Sequence, residues 1–443
     1  MKRLAPALAL CALLVAALPA HAADQPAHRD SYGTKAPYAP GQSARTYQAA
    51  PAGYVPVLTE NVSRHGSRAA SDGEDADLVL ALWDRADASG QLTREGREFG
   101  TEVRALRAAM ERVGFGELSG RGRTELAGTA TRLAHRLPAL FAEMARTGQR
   151  IDVVSSGQGR AVDSGDAFAA ALAVADPGLR PLIGPTRPDR DLLYFHKTDA
   201  GAAYRDYVDN DPRLAATLAS LTDQPRTRRA ATGILRRLFT GPFVAGLGDT
   251  DRVAAARAVH SLYAIAPAMS EESPGGRGWG LERRLPAADA AWFGYLDDVE
   301  DFYEKGPGFS GDDITYRMAG VLLDDLFRAA EQKRDGVGDL GAVLRFTHAE
   351  ELIPLAALMG LPGSTEQVTG NRPYTWAGNP WRGARVAPLG GNIQWDVYRR
   401  GDRYLVRMLY NERETPFRAG CRPVARGSVF YDLDELERCF GRA

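Results

Sequence analysis

Cysteine is nearly absent, three in 443 residues, and none of the three forms a CxxC pair or stands beside a histidine, which argues against a zinc site. Lysine is scarce too. Only positions 2, 35, 197, 305 and 333 carry it, within a combined Lys and Arg count of 55, so nearly all positive charge is arginine. Codon usage is sufficient reason for that bias. Neither sign of charge dominates: the formal net charge is −1, so no global field draws the chain to nucleic acid or membrane, and any anion site must be built locally. There is no internal repeat of roughly 20 to 50 residues. Long apolar runs are missing as well, because the longest, Leu4–Leu18, has about 15 residues and hydrocarbon needs roughly 20. With 44% hydrophobic and 25% charged residues, the chain has the composition of one large or two moderate domains with a proper core.

The short apolar run follows Lys2-Arg3 and precedes Ala20-His21-Ala22, the pattern of a secretory signal peptide over residues 1–22. A periplasmic or secreted protein, free of the membrane after cleavage, is the expectation. Leu10, bulky and just before Cys11, argues against lipidation. Cys421 and Cys439 then remain in an oxidising compartment, where they read as one disulfide, worth on the order of 3 kcal/mol by loop entropy. Two free buried thiols are the other reading.

Residues 23–50, rich in Ala, Pro, Gly and polar residues, read as an extended lead-in. Order is expected from Tyr54: Tyr54–Val62 is β-branched and apolar, then breaks into Ser63-Arg64-His65-Gly66-Ser67-Arg68, a strand running into a loop. Helical spacing covers Leu92–Val113 and Arg123–Arg146. The second leads to a short strand at Ile151–Val154, a polar loop ending in Arg160, and a helix over Ala161–Val174. Residues 199–311 are patterned as a mostly α insertion, which parts of 72–120 join. The α/β grammar (51–198 with 312–443) resumes with an amphipathic helix over Ile314–Lys333 and a strand, Leu344–Thr347, that ends at His348-Ala349-Glu350. Residues 392–410 alternate around Arg400-Gly401-Asp402, a hairpin signal.

Three strand ends thus offer Arg64, His65 and Arg68; Arg160; and His348 and Glu350. Ligands of open α/β sheets bind at such carboxyl ends. Arginine forks suit a phosphoryl group, and several of them neutralise its equatorial oxygens. Gly66 lets backbone approach an anion. A neutral His65 attacks phosphorus without a separate base; neighbouring arginines disfavour its imidazolium, so it should remain neutral at mildly acidic pH. Glu350 is placed to protonate a leaving oxygen, and His348 to bond a phosphate oxygen. Singly, each element has a bland alternative: a solvated loop, a surface arginine, a chance tripeptide. Their concurrence behind three strands carries the reading.

Arg64-His65-Gly66-Ser67-Arg68 resembles the RHGxR signature of the histidine acid phosphatases, and His348-Ala349-Glu350 resembles the HAE variant found in the multiple inositol polyphosphate phosphatase branch. Ser155–Ala169 with Arg160 is similar to the middle arginine segment. Lys305-Gly306-Pro307-Gly308, Leu409-Tyr410-Asn411-Glu412 and Cys421 look like later landmarks of that branch. Ala69-Ala70 departs from the commoner proline-containing continuation. The resemblance implies an α/β sheet with helices on both faces and a smaller α domain closing over the site. It also implies a two-step reaction through phosphohistidine at His65 with Glu350 as acid, no metal or other cofactor, and inositol hexakisphosphate and lower inositol phosphates as substrates. Lys197, Lys305, Arg382 and Arg385 are candidates to grip further phosphates. Competing readings are a broad acid or sugar-phosphate phosphatase, a mutase, and a binding protein for phosphorylated ligands without turnover. Monomer is the default state. His28, His135, His196 and His260 are not assigned to chemistry.

Overall fold

The computed structural model describes residues 26–442; the expected signal peptide lies outside the described residues. β1 (Val55–Arg64) is buried at every position from Leu58 onward, as expected of a central strand in a mixed sheet covered on both faces. It pairs in parallel with β4 (Leu340–Thr347), which pairs in parallel with β2 (Arg150–Ser155), and a two-residue β3 (Arg187–Pro188) lies beyond β2. On its other side β1 runs antiparallel to β5 (Asn392–Arg400). β5 turns at Gly401, φ 60°, into β6 (Arg403–Tyr410), which β7 (Arg413–Glu414) and β8 (Phe430–Asp432) extend. The order β3-β2-β4-β1-β5-β6-β7 sets the carboxyl ends of β2, β4 and β1 side by side.

Helices cover both faces. Alternate residues of β4 separate into two apolar clusters: Ala342 and Leu344 pack with Leu126, Phe141 and Phe168, whereas Val343 packs with Leu322 and Leu326. The first set comes from α4 (Gly120–Arg136), α5 (Pro138–Thr147) and α6 (Gly159–Ala175). Farther out, α2 (Glu74–Ala88) and α3 (Arg94–Val113) pack on the helices Asp249–Ile265 and Pro225–Leu238. Thr93 and Ser119 cap α3 and α4, their hydroxyls accepting the Gly96 and Gly122 N–H groups.

Three expectations are corrected. Residues 26–48 are not an extended lead-in: α1 (Pro26–Asp30) and short 3-10 turns at Gly33–Lys35 and Ala44–Thr46 form a strap, with Tyr32, Ala36 and Tyr38 buried. The helix expected over 123–146 is two, because Pro138 disfavours helical backbone at Leu137, which sits at φ −124°, ψ 48°. The helix expected from Ile314 begins at Gly320, since local bonds compete with it: Asp312 accepts the Ile314 N–H, and Thr315 donates to the Gly306 carbonyl. Cys421 and Cys439 do form a disulfide, their Cα atoms 5.2 Å apart. Among the described residues no helix is long and apolar enough to cross a membrane.

Candidate active site

Sheet register builds the site. Arg64 is paired with Thr347 and Ser155 with Phe346, so His65, His348 and Ser156 are each the first residue past a neighbouring strand end. Ladder bonds continue past those ends: His65 N–H donates to the Thr347 carbonyl at 2.8 Å, and Ser156 N–H to that of Phe346 at 3.0 Å. The His65 and His348 rings come within 5.3 Å, centroid to centroid. His65 Nδ1 lies 2.9 Å from the Gly66 carbonyl. A carbonyl only accepts, so Nδ1 carries the proton and the Nε2 lone pair is left bare. Burial first, then the charges of Arg64, Arg68 and Arg160, hold this imidazole well below its ordinary pKa, so it is neutral in mild acid.

Around the two rings stand donors with nothing to donate to. The Nε atoms of Arg64, Arg68 and Arg160 and the Nδ1 of His348 are all buried without a hydrogen-bond partner among the described residues. Arg64 is aimed by two backbone carbonyls, Thr34 at 2.5 Å and Ala387 at 2.6 Å, and Arg68 by that of Ala69 at 2.7 Å. Arg160 is the second residue of α6, where the helix dipole also favours an anion. Burial and crowding are severe enough that Arg64 and Arg68 are each pushed down to about 10. His348 is lowered to about 3 by burial and then by Arg160. Clustered buried cations of this kind, with spare N–H groups, have the chemistry of an anion site.

Glu350, in the first turn of the helix Ala349–Leu358, stands at the rim with 32% of its side chain open. Burial alone would raise its carboxyl, but Lys305, 3.9 Å away, and then His196 and His348 outweigh that and hold it far below the usual carboxylate range. Lys305 is in turn held well above its ordinary value against burial by Asp301, 2.6 Å away, and by Glu350. Asp301 also accepts from Thr34 Oγ1 at 2.8 Å, which closes a loop back to Arg64 through the Thr34 carbonyl.

The loop after β1 is clamped rather than free. Glu125 of α4 accepts both the backbone N–H and the hydroxyl of Ser67 at 2.9 Å, and the Tyr38 N–H at 3.0 Å. Gly66 is required by α4: a Cβ there would stand 2.5 Å from Leu126 and 2.6 Å from the Gly122 carbonyl. The glycine therefore allows close approach of a helix, where the sequence suggested close approach of an anion. Beside Arg64 and Arg68 opens a cavity of about 180 Å³, which Lys35, Asp72, Asp75 and Ser261 also line.

Of the four further candidates, Lys305 joins the site. Arg382 does not: it donates to the carbonyls of Trp376, Asn379 and Trp381. Arg385 is paired with Asp30 at 2.6 Å. Lys197 is exposed on a 3-10 turn and makes no ion pair among the described residues. His196 is buried with Nδ1 2.5 Å from Glu351, His260 is buried against the Ser31 carbonyl, and His135 is exposed. Sequence reasoning missed Thr34, Lys35, Glu125, Ser156 and Asp301. For the first two a signal existed: Lys35 is one of five lysines, in a segment with Tyr32, Tyr38 and Tyr47 that is too aromatic for a linker. Among the described residues no group of three or more His, Cys, Asp or Glu is placed to hold a metal ion.

A profile of the histidine phosphatase superfamily (branch 2) matches residues 60–213 and 279–411. Multiple inositol polyphosphate phosphatase 1 of Gallus gallus is 28% identical over 409 residues, 88% of this chain and 84% of that protein. The Bifidobacterium longum multiple inositol polyphosphate phosphatase, crystallised with inositol hexasulfate, is 33% identical with a TM-score of 0.85, over 93% of this chain and 97% of that one. Its phosphate complex gives a TM-score of 0.87 at 32% identity over the same shares. Motifs, sheet order and site geometry converge with these likenesses: the chain belongs to branch 2 of the histidine phosphatase superfamily, among its multiple inositol polyphosphate phosphatases.

Proposed function

We propose that this chain is an exported phosphomonoesterase that removes phosphate from inositol hexakisphosphate and lower inositol phosphates through a phosphohistidine at His65. The observation that carries the reading is the bare Nε2 of a neutral His65 amid four buried N–H donors that have no partner among the described residues. Arg64, Arg68, Arg160 and His348 grip the phosphoryl oxygens. The Nε2 lone pair attacks phosphorus as the bond between phosphorus and the inositol oxygen breaks, and that leaving oxygen takes a proton from Glu350. Water then attacks the phosphohistidine, gives its proton to the Glu350 carboxylate, and free His65 and phosphate result. Lys305 is the first charge that keeps the Glu350 carboxyl ionised; a bound polyanion opposes that field, and the carboxyl gains its proton with the substrate.

A mixed sheet of 51–198 and 312–443 carries the chemistry, and the helical body of 199–311 with 74–113 forms the facing domain. The Bifidobacterium relative's complexes with inositol hexasulfate and with phosphate support the substrate class, and the N-terminal sequence pattern with the disulfide supports export to the periplasm or beyond. The protein acts as a monomer on a small anion, not on nucleic acid or membrane. Phosphate release from inositol hexakisphosphate at mildly acidic pH, beside an aryl phosphate and a His65→Ala control, is the test. Preference for the hexakisphosphate with a control about 10⁴-fold or more slower is expected. Cleavage of the aryl ester alone would leave the mechanism and remove the inositol assignment; an active control would remove both.

A further inference from the structure

The two ring nitrogens of His348 are treated differently. Nε2 lies 2.7 Å from the Ser156 hydroxyl, while Nδ1 is buried with no partner among the described residues. Ser156 is itself fully buried, and its oxygen already accepts the Gln158 backbone N–H at 3.3 Å. Its own proton needs an acceptor, since a buried donor left unpaired is costly, and among the described residues Nε2 is the one within bonding distance. The hydroxyl therefore donates to Nε2. A ring that is neutral, as burial and Arg160 keep this one, then has its single proton on Nδ1.

We propose that Ser156 is a positioning residue that fixes His348 as the Nδ1–H tautomer, so that its buried, unpartnered N–H is offered to an oxygen of the phosphoryl group being transferred. This rests on the phosphatase reading above and specifies which atom of His348 serves it. The two histidines then hold their protons on like atoms to opposite ends. His65 hides its proton in the Gly66 carbonyl and presents a lone pair to phosphorus; His348 hides its lone pair behind a serine and presents a proton to oxygen. Ser156 is held to this task by the ladder bond from its own N–H to the Phe346 carbonyl, two residues before His348.

Histidine ¹⁵N spectra of the purified full chain test the assignment, with His348→Gln identifying the signals. The expected wild-type spectrum has Nδ1 protonated and Nε2 bare. Ser156→Ala should move the ring to the other tautomer or a mixture and lower kcat/KM for inositol hexakisphosphate roughly 10- to 100-fold, and Ser156→Thr, which keeps the hydroxyl, should recover most of it. A wild-type proton on Nε2 overturns the proposal whether or not the variants fold. So does a Ser156→Ala protein whose tautomer or kcat/KM is unchanged. A wild-type Nδ1–H tautomer in a protein that hydrolyses neither ester would sink the phosphatase reading, and with it the phosphoryl acceptor, while leaving the proton where it is assigned.

Discussion

The strand-end loops and the N-terminal strap both build this site, and they do so by different means. Residues 64–68, 160 and 348–350 supply side chains: the proposed nucleophile, donors unpartnered among the described residues, and the proposed acid. The strap supplies mostly main chain. The Thr34 carbonyl aims Arg64, the Ala36 carbonyl accepts the Leu389 N–H, and the Tyr38 N–H binds Glu125, which holds Ser67. The strap also lies outside the residues matched by the family profile, which begins at 60. Backbone groups place few demands on residue type, so a segment that works through them can orient a buried arginine and leave little trace in sequence.

If the loops carry the chemistry, the largest expected effect after loss of His65 lies at Glu350. Glu350→Gln removes the proton and keeps the shape, and should slow turnover of inositol hexakisphosphate by about 10² to 10⁴. An aryl phosphate, whose leaving oxygen needs little help, should lose far less. Equal losses on both esters would mean that Glu350 acts on binding or position and that the acid is another group.

The loops were legible for a physical reason. Each is one short run behind one β-branched segment, so the site appears wherever strand grammar is read correctly. The hairpin at Gly401 and the crossover helix α6 were legible on the same terms. Other features are non-local. Asp301 reaches Thr34 across 267 positions, and Ser156 reaches His348 across 192, and neither spacing follows from a local pattern. The reason for Gly66 was misread because the Gly122 backbone that crowds it belongs to another element. Arg382 looked available because a residue pattern does not show that its guanidinium folds back on the nearby Trp376, Asn379 and Trp381 carbonyls, and Arg385 because Asp30, 355 positions away, meets it only through the strap.

Lys305 joins the two regions, being tied to the strap through Asp301 and to the loops through Glu350. Lys305→Met should lower kcat/KM about 10-fold by removing a cation from the cleft. The sign of its pH effect follows from Glu350. Lys305 is the first charge holding that carboxyl down, so removing it raises the carboxyl's pKa. An acid is useful only while protonated, and because this carboxyl takes up its proton in the complex, it is the alkaline limb of kcat that should move to higher pH, by on the order of one unit. A limb that stays in place assigns it to a different group.

Thr34→Val asks whether the strap's side chains matter. It keeps the carbonyl that aims Arg64 and deletes the hydroxyl bonded to Asp301. One neutral donor to a carboxylate corresponds to a fall of about 5-fold in kcat/KM, with Lys305 less firmly held. A loss as large as that of Glu350→Gln would place the strap among the catalytic elements and erase the contrast.

Tyr38→Phe should have the smallest effect and gives the cleanest separation. The Tyr38 hydroxyl donates to Glu412 at 2.8 Å, but Glu412 remains paired with Arg132 at 2.7 Å after the change, so no buried carboxylate is stranded. The backbone N–H that reaches Glu125 is untouched. Stability should fall by about 1 kcal/mol, read from the denaturant midpoint, while kcat/KM stays within error of the parent. If activity fell instead, the route from strap to Ser67 would have to pass through the Tyr38 side chain, and main chain alone would no longer account for why this segment is hard to see in the sequence.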